Sequence, residues 1–329
     1  MRRLLATTAL ALFAVPAVAQ EKPTLTVYTY DSFTAEWGPG PLVESAFEAG
    51  CACDLEWVAV ADGVALLNRL RLEGTRSRAD VVLGLDDALV AEAEATGLFA
   101  PHGLDLAWDV PGGFASDVFV PYDYGHFAVV YDTQAMEPLE SLRALVDGEG
   151  EEKIVVQDPR SSTPGLGLLR WVRAVYGDEA PEAWEKLSDR ILTVTPGWSE
   201  AYGLFTSGEA PMVLSYATSP AYHMEAEGTD RYQAMRFAEG HPVQVEVSAM
   251  LAATDAPDLA RDFLAFTLTP GFQDAIPANN WMMPAGETAE PLPPAFGRLI
   301  APDTLPTDTD EVAANRRAWT DEWLAAMGR

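Results

Sequence analysis

The order of strand-like and helix-like segments constrains this chain most. Residues 24–30 (TLTVYTY) are β-branched and aromatic and read as a strand that Asp31 and Ser32 end. A helix-like stretch at 41–49 leads to a second strand at 54–60, stopped by Ala61-Asp62-Gly63. Val64, Leu67 and Leu70 then recur at helical spacing, with Asp62 standing where an N-cap belongs. A third apolar run at 80–84 and a helix at 86–95 continue the series. Strands separated by helices can pair in parallel only if the helices cover the faces of the sheet, which is an α/β arrangement.

The same grammar returns later. Residues 153–157 read as a strand, followed by a loop whose Thr163-Pro164 predicts a helix start running to about residue 176. Residues 191–195 form the next strand, with Ser199 expected to cap a helix at 200–205; residues 211–216 form a further strand, with Ser219-Pro220 again a cap before proline. Between the two sets lies the apolar segment 119–132, and 243–251 is a comparable return path. Two lobes joined by strands are therefore expected, each a mostly parallel sheet flanked by helices: residues 20–120 with 246–285, and residues 121–245 with 286–329. The tail at 311–327 reads as a helix with Trp319 and Trp323 at helical spacing.

The first twenty residues bear on the compartment. Arg2-Arg3, an apolar run from Leu4 to Val15 and the Ala17-Val18-Ala19 site have the three parts of a secretory signal peptide, so residues 1–19 are expected to be removed and the rest exported to the periplasm. The formal net charge of −29 argues against a nucleic-acid partner and weakly favours cationic ligands, while also serving solubility. The two cysteines, Cys51 and Cys53, suggest a disulfide in an oxidising compartment, closing a ring too small to add much loop-closure entropy. Two thiols are too few for zinc, and His102, His126, His223 and His241 show no ligand spacing near them, so no metal site is assigned.

In open parallel sheets, ligands gather beyond the carboxyl ends of the strands. Those ends carry Tyr30, Asp62-Gly63, Ser161-Ser162-Thr163, Trp198, and the run Tyr216-Ala217-Thr218-Ser219, with Tyr222 one turn on. Helix starts at Ser162-Thr163 and Ser219 offer backbone N–H groups suited to a phosphate. Tyr30, Trp198, Tyr216, Tyr222 and Trp281 offer flat faces suited to a cationic heteroaromatic ring, and Asp62 can neutralise its charge. Taken singly, such a serine is more often a plain cap and such an aromatic plain core. Their joint placement at strand ends is what favours a site.

At these residues the chain resembles a family. TVYTYDSF at 26–33, WGPGP at 37–41, Asp62-Gly63-Val64, ADVVLGLD at 79–86, QDPRSSTPGLG at 157–167, GWSEAYGLF at 197–205 and YATSPAYH at 216–223 are similar to the periplasmic thiamine-binding proteins of thiamine ABC importers. The resemblance covers nearly the whole chain after residue 19. It implies a two-lobed periplasmic-binding-protein fold of class II, with the ligand in the interlobe cleft and no enzymatic activity. It also implies a monomer with no cofactor, whose transported ligand is thiamine, thiamine monophosphate or thiamine diphosphate and whose partner is an importer permease in the inner membrane. Carried over by position, ligand contacts fall on Asp62, Gly63, Ser162, Thr163, Trp198 and Tyr216 through Ser219, with Tyr30, Tyr222 and Trp281 added as cleft aromatics. Ala217 departs from an expected small hydroxyl residue, which implies one phosphate hydrogen bond fewer. The Cys51-x-Cys53 pair fits the family pattern.

Two other readings are weaker. Gly197-Trp198-Ser199-Glu200-Ala201 approaches a nucleophile elbow, but Ala201 replaces its last glycine and no histidine stands in a suitable later loop, so no catalytic residue is assigned. A ferric-ion site would need phenolates close together, whereas Tyr216 and Tyr222 are a helix start apart.

Overall fold

The computed structural model describes residues 22–328, and the expected leader at 1–19 lies outside the described residues. The strands are β1 (Thr24–Tyr30), β2 (Asp54–Val60), β3 (Val81–Asp86), β4 (Phe119–Asp132), β5 (Ile154–Gln157), β6 (Ile191–Thr195), β7 (Met212–Tyr216), β8 (Tyr232–Ala234), β9 (Val243–Met250) and β10 (Met283–Pro284). They form one sheet in the order β2-β1-β3-β9-β4-β7-β5-β6, with β8 and β10 pairing to β4 off that path.

The two flanks are parallel and the middle is not. β1 pairs parallel with β2 and β3, and β5 parallel with β6 and β7. Between them β9 runs antiparallel to β3 and β4, and β4 antiparallel to β7. Phe119–His126 of β4 pairs with β9, and Phe127–Asp132 of the same strand pairs with β7 and β8. β4 therefore belongs to both halves of the sheet, as its long apolar sequence predicts, and β9 returns beside it. A pair of continuous strands leaves little freedom except bending and twisting about their length.

Helices cover the faces. β3 is buried along its whole length, the pattern of a strand packed on both sides. In the second half the helix Thr163–Tyr176 lies so close to β4 that a Cβ on Gly167 would stand 2.4 Å from the Phe127 ring. Trp171 of this helix packs on Phe237 and His241, and it and Trp184 of the helix Ala180–Ser188 are essentially without solvent contact. The terminal helix Thr309–Met327 is capped by Asp308, whose carboxylate accepts from the Asp310 and Glu311 N–H groups. It buries Trp319 and Trp323 against the helices Thr163–Tyr176 and Ala180–Ser188, and also reaches the helix Val90–Glu94 of the first half, where Arg316 meets Glu92 at 3.0 Å.

Two expected caps shift. The helix after β5 begins at Thr163 with Ser162 in the cap position, one residue earlier than Thr163, and the Ser162 side chain makes no capping bond because its hydroxyl is donated elsewhere. The helix after β6 spans Trp198–Thr206 with Gly197 as its cap, so Ser199 lies inside the first turn and donates to Asp31 Oδ1 at 2.8 Å. Cys51 and Cys53 form a disulfide at the end of the helix Gly40–Cys51, with Ala52 in the left-handed region at φ 53° as its C-cap.

Candidate ligand-binding cleft

The carboxyl ends of the flanking strands face each other, and Asp62 stands at the junction. Its cap position before the helix Gly63–Glu73 gives Oδ1 the Gly63 N–H at 2.7 Å. The same carboxylate takes three donors from the other half: the Thr163 N–H (3.2 Å) at Oδ1, and the Ser162 hydroxyl (2.7 Å) and Trp198 N–H (3.1 Å) at Oδ2. Two helix starts thus converge on a side-chain carboxylate, the kind of anion such starts accept. Burial pushes the Asp62 pKa up to about 6 despite these four donors. The halves also touch through the Ala65 N–H to the Ser161 carbonyl (2.8 Å), and a Cβ on Gly63 would stand 2.4 Å from Thr163 Oγ1.

Beside this junction lies a cavity of about 340 Å³. One wall is the Trp198 ring, stacked on Tyr202 at 4.7 Å and 20°. Helical spacing places Tyr202 one turn behind Trp198. Trp198 Nε1 donates to Ser215 Oγ (2.8 Å), which is in turn bonded to Ser219 Oγ (2.7 Å), so the indole is held by face and by edge. Tyr202 is held by a relay: its hydroxyl meets His223 Nε2 at 2.9 Å, and His223 Nδ1 meets Glu227 Oε2 at 2.7 Å. A carboxylate accepting from Nδ1 leaves Nε2 to accept the tyrosine proton.

The opposite wall comes from the first half. Trp281 follows the turn Ile276–Asn280 at φ 57°, a left-handed conformation that costs a large side chain on the order of 1–3 kcal/mol. The result is an edge-to-face contact with Tyr222 at 5.7 Å, a ring pair spanning the two halves. A second pair, Trp37 with Trp198 at 6.3 Å, closes the outer end; Trp37 is half exposed there.

The floor is acidic. Glu246 Oε2 accepts the hydroxyls of Tyr30 (2.8 Å) and Tyr122 (2.7 Å), and Oε1 accepts the Gln244 amide (2.9 Å). Asn280 donates to Asp123 Oδ2 at 2.8 Å. Burial raises the Glu246 pKa to about 7 and holds Asp123 well above the usual carboxylate range, with the charge of Glu246 adding to the shift at Asp123. No Lys, Arg or His is found among the described residues lining the cavity, whereas Asp62, Glu227 and Glu246 are.

The sequence-derived residues divide in two. Tyr30, Asp62, Trp198, Tyr216, Ser219, Tyr222 and Trp281 line the cavity together. Gly63, Ser162, Thr163, Ala217 and Thr218 are buried next to it: Ser162 and Thr163 give their donors to Asp62, and the Ala217 N–H is taken by the His126 carbonyl at 2.9 Å. Trp37, Tyr202, Glu227, Glu246 and Asn280 also line the cavity and were not singled out in the sequence. For Glu246 a signal existed, since a lone acid inside the apolar run VQVEVSAM needs a reason.

A model of the family "Bacterial extracellular solute-binding protein" matches residues 77–297. The chain is 58% identical to the "Thiamine-binding periplasmic protein" of Brucella suis over 99% of this chain and 100% of that one, and 55% identical to the protein of the same name in Escherichia coli over 97% and 98%. It is also similar to a solved structure titled "Periplasmic thiamin binding protein", with a TM-score of 0.92 and 55% identity over 96% of this chain and 100% of that one. The chain belongs to the bacterial extracellular solute-binding proteins, a family of binding proteins rather than enzymes, and within it to the family of the thiamine-binding periplasmic proteins.

Proposed function

We propose that the chain captures thiamine or its phosphates in the periplasm and delivers them to the permease of an ABC importer in the inner membrane. The observation that carries this reading is the cavity itself: aromatic faces from both halves around about 340 Å³, with acids and no base among the described lining residues. That volume falls within the range of about 300–1,000 Å³ usual for small-molecule sites. Thiamine brings two flat rings, one of them permanently cationic, and aromatic faces attract such a ring by dispersion and by their quadrupole. The names of the close relatives point the same way. No helix among the described residues is long and apolar enough to cross a membrane, which is compatible with an exported carrier.

In this reading residues 20–120 with 246–285 and residues 121–245 with 286–329 act as two lobes that close as a monomer on the ligand. Trp198, Tyr222, Trp281 and Tyr30 hold the rings, and Ser219 faces any phosphate. Mass spectrometry of small molecules released on denaturing the protein purified from the periplasm tests it, followed by calorimetry with thiamine, its monophosphate and its diphosphate. Release of a thiamine form and saturable binding are expected. A different released compound, with no heat from any thiamine form, would overturn the reading.

A further inference from the structure

Asp62, read as the partner of a cationic ring, takes four donors, three of them from the opposite half, whereas the three donors to Glu246 come from β1, β4 and β9 and do not depend on the halves meeting. The cavity floor offers another candidate. In the antiparallel ladder of β4 and β9, Asp123 and Glu246 are directly opposite, so their side chains share one face of the sheet. Glu246 is also directly opposite Asp86 of β3. Three carboxylates thus sit in a row across three neighbouring strands, all at least nine-tenths buried. Both oxygens of Asp86 have no hydrogen-bond partner among the described residues, and Asp123, besides accepting from Asn280, lies within hydrogen-bonding reach of the Glu246 carboxyl. Glu246 opens the row to the cavity.

Carboxylates buried together repel and are desolvated, so a fold keeps them only if a cation, a proton or a function compensates. No basic side chain among the described residues lines the cavity; Arg170 and Arg316 act on Asp86 at the far end of the row, and at Glu246 the compensation left is a proton or a cationic ligand. Solvated acids on the rim would be screened by water; an acid at the floor, under aromatic walls, acts through a less polarisable medium and therefore discriminates charge more strongly.

We propose that Glu246, supported by Asp123, is the counterion of the cleft and selects a cationic heteroaromatic ligand over a neutral one of the same shape. The inference rests on the thiamine reading and adds to it the residue that reads the charge. Its position on the crossing strands means that this group does not depend on lobe closure: it serves the ligand as soon as the rings enter, and the aromatic pairs from the two halves close afterwards.

The test compares thiamine with its thiophene analogue, in which carbon replaces the charged ring nitrogen and the shape is kept. Wild-type protein is expected to bind thiamine at least about tenfold more tightly than the analogue. Glu246→Gln should lose tenfold or more for thiamine and about twofold or less for the analogue, and Asp123→Asn should show the same pattern more weakly. Melting of each variant guards against misfolding, and the wild-type comparison stands if a variant does not fold. Equal wild-type affinities, equal losses for both ligands in Glu246→Gln, or a charge-selective loss in Glu227→Gln instead would each overturn the proposal. Wild-type protein that binds neither ligand would sink the thiamine reading itself, a distinct outcome.

Discussion

The Asp62 carboxylate accepts the Ser162 hydroxyl at 2.7 Å across the cleft, tying the cap of one helix to the start of another in the opposite half. A site that looked in the sequence like a phosphate seat is, in this structure, occupied by the protein's own carboxylate. Helix starts cannot serve two anions at once, so in this structure the junction latches the two halves together.

From this follows a prediction about Ser162→Ala. Removing a hydrogen bond to a charged, buried acceptor costs about 1.5–3 kcal/mol. If the hydroxyl serves Asp62, thiamine and thiamine monophosphate should weaken by equal factors, on the order of tenfold or more. Titration calorimetry with both ligands reads this directly; a loss confined to the monophosphate would return Ser162 to the phosphate.

A second prediction concerns the ring wall. Trp198 presents one face to the cavity and the other to Tyr202, so Trp198→Ala removes the stack and should cost on the order of 1–3 kcal/mol for thiamine and its phosphates alike, by analogy with base stacking on aromatics. Trp198→Phe keeps a face but loses the donation to Ser215, and should fall between the two. Binding of all forms at wild-type strength in Trp198→Ala would exclude the wall from the site.

Much of this arrangement was legible in the residues. β1 and β6 begin and end where β-branched runs do, and β4 could be read as a crossing because an apolar segment stands between the two sets of strands and helices. Asp62 was placed correctly as a cap, yet its three further donors were not, since they arrive from residues a hundred and more positions away. Tyr202 and Glu227 were invisible for a similar reason: their roles depend on His223, which looked like an isolated histidine. Local rules see caps and periodicity, whereas the latch and the relay exist only after the halves meet.

Stability should fall as pH rises above neutrality. Burial, reinforced by the neighbouring Asp87, lifts Asp86 from 3.8 to about 8, and burial lifts Glu246 from 4.5 to about 7. An acid whose folded pKa exceeds its unfolded value holds more protons in the folded state, so the folding free energy weakens as pH climbs through the folded pKa. Burial lowers His126, His223 and His241 in the folded state, so above pH 7 these three are neutral there and leave the slope to the acids. The ligand-free midpoint is expected to drop by a few degrees between pH 7 and 8.5, and Asp86→Asn should flatten that slope. A midpoint that rises over the same interval would contradict the argument.

The final prediction isolates closure from chemistry. Gly197 caps the helix carrying Trp198, and its backbone is extended at φ −152°, a conformation open to any residue. Its obstacle is the other half: an added Cβ would stand 2.6 Å from the Ala61 carbonyl oxygen, across the cleft. Gly197→Ala therefore needs no change within its own half but wedges the halves apart by a few tenths of an ångström or more. The Trp198 N–H would draw away from Asp62, and the Trp198 wall from the Trp281 wall. Ligand-free stability should fall by no more than the bond lost at Asp62, about 1.5–3 kcal/mol, because the core of each half is untouched, while thiamine should bind at least tenfold more weakly, mainly through faster release, the rate that usually carries affinity differences within one site. Stopped-flow quenching of the cleft tryptophans gives both rates, and small-angle scattering of the saturated protein should show a larger radius than saturated wild type. Unchanged release with an unchanged radius would mean that contact between Gly197 and Ala61 is incidental to holding the ligand.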